Sequence, residues 1–228
     1  QLTLRSSGTD AETGSLTVGT GARIETPALS SVTLSAANRL LVDGEVHAAG
    51  GNIALAIDAR QQATPDVATT TTLWVGEHAR LDVSGQAILA PTTNGLRQGN
   101  VLAGGRITLA AKGASGTEPV LVLQQGAQID AAGASAVLDR AVLTDGGVRW
   151  QRGEVASNGG SVAIEANRAL VTEGHIDLHA GGTGASGGTL AVTLTAGGSG
   201  LGTDAPENQL RELRVAAGPT VRTAGIAL

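Results

Sequence analysis

A three-part repeat of short apolar runs punctuated by glycine dominates this 228-residue chain. One part reads Leu-x-Val, a gap, Gly, then Ile or Leu. It appears at Leu16-Thr17-Val18 with Ile24, at Leu41-Val42 with Val46 and at Leu73-Trp74-Val75 with Leu81. It returns at Leu121-Val122-Leu123 with Ile129, at Leu170-Val171 with Ile176, and at Leu213-Arg214-Val215 with Val221. A different run precedes each copy: Leu2-Thr3-Leu4, Val32-Thr33-Leu34, Ile53-Ala54-Leu55, Ile107-Thr108-Leu109, Val162-Ala163-Ile164 and Leu190-Ala191-Val192. Four of these runs follow a glycine doublet: Gly50-Gly51, Gly104-Gly105, Gly159-Gly160 and Gly187-Gly188.

Within each run apolar residues alternate with polar or small ones, the period of a half-buried strand. No helical apolar stripe persists for three turns. Three short strands per unit, six times over, predict an all-β fold: a right-handed parallel β-helix of three sides and about six rungs. Each rung would bury its inward residues only against its neighbours, and glycine would serve the corners by accepting positive φ. At roughly 4.8 Å per rung, the rod would be about 29 Å long. A β-sandwich is the competing fold, but its hairpin dipeptides are few. Asp43-Gly44, Asn94-Gly95, Asp145-Gly146 and Asn158-Gly159 do not join successive strands systematically.

Composition agrees with a narrow tube. Hydrophobic residues make up 41% of the chain but aromatics only 1%, with two tryptophans and no Phe, Tyr, Met or Cys. A wide core needs large side chains to fill it; a narrow one can be filled by Leu, Ile, Val and Ala. A mean hydropathy of +0.11 and only 15% charged residues argue against disorder. Zero cysteine excludes disulfides and thiolate chemistry. There is no apolar run near membrane-spanning length. One lysine, Lys112, and fourteen scattered arginines leave no nucleic-acid footprint. The chain opens on Gln1 rather than methionine, as expected of a processed product or a piece of something longer.

Longer connections occupy two columns of the repeat. Ala59 to Thr72 and Gly197 to Gln209 follow the first strand of a unit, whereas Gln86 to Ala103 and Ala134 to Asn158 follow the third. They read as loop insertions at fixed corners, and the second pair should lie side by side. No domain boundary is visible, so residues 1–228 read as one segment.

The runs Leu73-Trp74-Val75-Gly76-Glu77-His78-Ala79-Arg80-Leu81-Asp82-Val83-Ser84-Gly85, Gly104-Gly105-Arg106-Ile107-Thr108-Leu109-Ala110-Ala111 and Gly126-Ala127-Gln128-Ile129-Asp130-Ala131-Ala132-Gly133 resemble the repeats of filamentous-haemagglutinin-like exoproteins. The resemblance covers nearly the whole chain through degenerate repeats. It implies a large protein secreted to the surface of a Gram-negative bacterium by an outer-membrane transporter partner. The Asn-Pro motifs of that family's secretion domain are absent here, so the chain is expected to be an interior stretch of a longer fibre. Adhesion, biofilm attachment or display of a distal toxin would follow from membership.

Candidate chemistry is sparse. His175, Asp177 and His179 alternate with Ile176 and Leu178, which places two imidazoles and a carboxylate on one face. Such a set can hold a divalent metal, and it is equally a solvated outer face; the second reading is preferred. Asp82, Asp130 and Asp177 each follow an inward residue and should stack as an outward column. That column could bind calcium or serve a polysaccharide-cleaving groove, yet no aromatic platform accompanies it, and a solubilising ladder is expected. No nucleophile has a recognisable setting, and zinc-protease and phosphate-loop motifs are absent. In the longest insertion, Arg149, Trp150 and Arg152 form the one unusual cluster, suited to stacking on a sugar or anionic group. Alternatively, Trp150 folds back over an apolar seam.

The expected function is a structural stalk segment of an adhesin, without enzymatic activity, cofactor or resident metal. A host or bacterial surface glycan or protein is the expected partner. Two alternatives stay open: a β-helical polysaccharide-active enzyme, and a receptor-binding module acting through the insertions.

Overall fold

The computed structural model describes residues 1–8, 14–59, 71–90, 92–113, 119–167 and 169–195. Among these, every regular element is a strand. All sixteen repeat strands read from the sequence within the described residues take part in three parallel sheets. The sixth Leu-x-Val copy, around Leu213 and Val221, and the Gly197 to Gln209 connection lie outside the described residues.

The first sheet has six strands: β1 (Leu2–Ser6), β4 (Ser31–Ala36), β7 (Asn52–Ala59), β12 (Arg106–Gly113), β17 (Ser161–Ala166) and β20 (Thr189–Leu194). The second has five: β2 (Ser15–Val18), β5 (Arg39–Val42), β8 (Thr72–Val75), β13 (Val120–Leu123) and β18 (Ala169–Thr172). The third also has five: β3 (Arg23–Glu25), β6 (Glu45–His47), β9 (Arg80–Asp82), β14 (Gln128–Asp130) and β19 (His175–Asp177). Successive units thus contribute one strand to each sheet in turn, a pattern compatible with a solenoid.

Register carries apolar residues into columns. Val32, Ile53, Ile107 and Val162 are consecutive partners in the first sheet, and Leu40, Leu73 and Leu121 in the second. Val46, Leu81 and Ile129 do the same in the third. All ten are essentially inaccessible to water. These columns form one continuous core of Leu, Ile, Val and Ala, with no aromatic in it. In β5 the inward pair is Leu40 and Val42. Leu41 points outward, paired with the half-buried Trp74, so the unit read as Leu41-Val42 begins one residue earlier. Trp74 in turn donates its indole N–H to Gln124 at 3.1 Å.

Glycine doublets do a different job from the one expected. Of the eight residues in the four doublets, only Gly50 is left-handed, at φ +59°. One corner earlier Leu29 adopts φ +63°, at a steric cost of about 1 kcal/mol. The second glycines are needed because one coil sits directly upon another. A Cβ on Gly105 would lie 2.0 Å from the Gly51 carbonyl oxygen, and one on Gly160 would lie 2.0 Å from that of Gly105. On Gly188 it would meet the Gly160 oxygen at 2.2 Å. The same carbonyls accept the ladder bonds from Arg106, Ser161 and Thr189, so the backbone cannot retreat without losing them.

Gly105→Ala should therefore destabilise the fold by about 3 kcal/mol, since backbone rather than a flexible side chain must move. Gly19→Ala, where an added Cβ meets nothing within 4 Å, should change stability by about 0.5 kcal/mol or less. Denaturant midpoints measure both. Equal effects would show that coil-on-coil contact does not select these glycines.

Candidate functional site

The insertions after the third-sheet strands are not loops. Gln86 to Ala103 forms an antiparallel hairpin of β10 (Ala87–Ala90) and β11 (Gln98–Val101). Ala134 to Asn158 forms a longer one of β15 (Ser135–Thr144) and β16 (Gly147–Ala156). Asp145-Gly146 provides the tip, followed by Gly147 at φ +106°. Asn94-Gly95 lies in the shorter connection, with Gly95 at φ +73°. Two of the four hairpin dipeptides set aside from the sequence thus mark real hairpins, branching from the parallel sheets rather than building them.

Asp139 holds the two hairpins together. Its carboxylate takes two bonds of 2.9 Å from the Arg152 guanidinium, one from Nε and one from a terminal nitrogen. It also accepts the Arg97 amide at 2.6 Å, while its own amide donates to the Arg97 carbonyl at 2.7 Å. Arg97 belongs to the shorter hairpin and Arg152 to the longer, so one buried side chain ties both. The Arg152 guanidinium and the Arg97 amide hold the Asp139 carboxyl down to about 2. At the roots, the Ser157 hydroxyl donates to the Leu102 carbonyl at 2.8 Å and accepts the Ala134 amide at 2.9 Å. Neither Asp139 nor Ser157 stood out in the sequence.

Strand alternation separates the cluster read as Arg149, Trp150 and Arg152. Trp150 and Arg152 share one face of β16, and Arg149 lies on the other. Arg152 is committed to Asp139. Trp150, opposite Ala141, is 48% exposed, so it does not fold back as a cover. Its face continues to the tip with Leu143 at 84% and Val148 at 60% exposure.

The aspartate column exists, in register Asp82, Asp130, Asp177. Each member accepts the amide two residues on: Ser84 at 2.9 Å, Ala132 at 3.0 Å and His179 at 3.1 Å. The column caps corners, a role local side-chain-to-backbone bonding suits, where a solubilising ladder was expected. Burial pushes the Asp82 carboxyl up, but the Ser84 hydroxyl and amide, Arg80 and His47 outweigh it and the net shift is downward. The His179 ring, 2.7 Å from the Asp177 carboxylate, lowers that group as well. Among the described residues, no three His, Asp or Glu side chains gather as metal ligands, so His175, Asp177 and His179 do not form such a set.

Asp139 carries a pH dependence whose sign is set by its lowered value. An unfolded aspartate titrates near pH 4, so the lock contributes fully above that and is lost as pH falls through about 2. NMR titration of the Asp139 carboxyl carbon and the Arg97 amide should show a shared midpoint near 2. A midpoint near 4 would mean the hairpins are not joined in solution. Chelator treatment should leave the melting temperature unchanged, because the aspartate column binds amides; a fall reversed by zinc or calcium would restore the metal reading.

No family model, curated protein or solved structure matches this chain.

Proposed function

We propose that the chain is a right-handed, three-sided parallel β-helix serving as a stalk segment of a large secreted or surface-displayed adhesin of a Gram-negative bacterium. The handedness follows from the strong preference of parallel strand crossovers for the right-handed path. The observation that carries the stalk reading is the unbroken register. Partners in all three sheets match position for position across every described coil. Such a periodic body spans distance at constant cross-section and can be lengthened by adding units.

An outer-membrane transporter would export the full-length protein, in keeping with the repeat resemblance. No helix among the described residues is long and apolar enough to cross a membrane. A polysaccharide-cleaving reading draws less support, since the stacked aspartates each spend an oxygen on a corner amide. The hairpins favour a second role within the same reading, presentation of a contact surface to a cell-surface partner, because rigid scaffolds display recognition elements in this way.

Antibodies raised against this chain should decorate intact producing cells in immunogold microscopy. Labelling confined to permeabilised cells would overturn the surface assignment.

A further inference from the structure

The face of the long hairpin opposite Trp150 carries a pair of arginines with no carboxylate partner among the described residues. Arg140 stands opposite Gln151 and Arg149 opposite Val142, so the two are diagonal neighbours across β15 and β16 on the face that also bears Leu138. Neither forms an ion pair among the described residues. The acid next to Arg140, Asp139, is consumed by Arg152 and the Arg97 amide. Beside Arg140 the hairpins border an open groove of about 660 Å³, whose lining includes Val101, Leu102, Leu138, Asp139, Arg140 and Val155, while Arg149 stands outside it, nearer the hairpin tip. The two hairpins carry four arginines against three acids, in a chain whose net charge is −5. The excess is one charge, and Arg140 and Arg149 carry theirs without an ion pair among the described residues.

We infer that this face binds an extended acidic peptide segment of a partner protein, running from Arg149 past Arg140 into the groove. The spacing selects that chemistry. Diagonal cross-strand neighbours sit about 7 Å apart, and side chains two residues apart on one face of an extended chain are separated by roughly 6.7 Å. Two carboxylates in an acid-x-acid arrangement thus reach Arg140 and Arg149 together, each through a forked guanidinium contact. The next residue on that peptide face falls towards the aliphatic wall of Leu138, Val101 and Val155, so a Val, Ile or Leu completes the motif. A sugar is less well served: no aromatic ring lines the groove, and Trp150 lies on the opposite face. The Asp139 lock keeps both walls in place before binding, which lowers the ordering cost. The inference stands apart from the stalk reading, because it uses only the hairpins and the corner that carries them.

Panning a displayed random-peptide library on the full chain tests this. Acid-x-acid peptides with an aliphatic residue two positions further should be enriched. Fluorescence anisotropy of a synthetic copy should show at least tenfold weaker binding to the Arg140→Ala/Arg149→Ala variant and no change for Trp150→Ala. Arg140→Gln/Arg149→Gln serves as a second variant if the alanine form misfolds. Three results would overturn the inference: no enrichment of acidic peptides, enriched peptides that bind the double variants as well as the parent, or arginine-dependent capture of a sulfated oligosaccharide with no peptide bound.

Discussion

Everything in this molecule depends on how closely one coil can lie upon the next. Parallel strands must approach to about 4.8 Å for their amides and carbonyls to pair. At the corner before the first sheet, that distance leaves no room for even a methyl group: Gly51, Gly105 and Gly160 each sit with a neighbouring carbonyl where Cβ would be. The ladder bonds run through those same carbonyls. Glycine there serves the hydrogen-bond geometry of the next coil rather than a turn of its own. Small residues at the corner and branched aliphatics in the columns follow from this one spacing.

The constraint also explains why the core lacks aromatic rings. An inward column repeats at the strand spacing, so each side chain must fit beneath a copy of itself. Leu, Ile and Val do so, as the stack Val32, Ile53, Ile107, Val162 illustrates. The indole of Trp74 is too broad for such a stack and lies on the outer surface beside Leu41 and Val122. Corners, having lost the ladder's regular partners, recruit side chains instead: Asp82, Asp130 and Asp177 supply the acceptor that the turning backbone lacks.

The parallel sheets were legible in the sequence because each strand repeats the same alternation and each glycine doublet marks the same corner. Period-two patterning with β-branched residues is a local signal, so Ile107-Thr108-Leu109 announces its strand and its inward face together. The hairpins were less legible. Their boundaries were visible as interruptions of the repeat, but β15 and β16 alternate only weakly because both faces near the tip are exposed. Asp145-Gly146 was a usable turn signal, discounted because it does not recur. Asp139 was invisible, since its partners Arg97 and Arg152 come from different hairpins and nothing local forecasts their meeting. Arg149, Trp150 and Arg152 looked like one cluster only because they are close in sequence; alternation along a strand divides such neighbours between opposite faces.

The two hairpins show how a fold with little chemical variety on its flanks can still acquire a specific surface. Inside the sheets, substitution at one position is constrained by the coils on both sides, so the flanks cannot diversify freely. A hairpin leaving the third-sheet corner escapes that constraint, because its strands pair with each other and leave the stack undisturbed. An isolated two-stranded hairpin is only marginally stable in water. Here the shorter hairpin braces the longer through Asp139 and Arg97, and Ser157 pins the root to Leu102 and Ala134. Bracing at both levels holds the groove walls at a set separation, while the ladder of β15 and β16 fixes Arg140 and Arg149 as diagonal neighbours. Arg152 and the Arg97 amide occupy Asp139, the acid next to Arg140, so the contact that rigidifies the corner also keeps that carboxylate from Arg140.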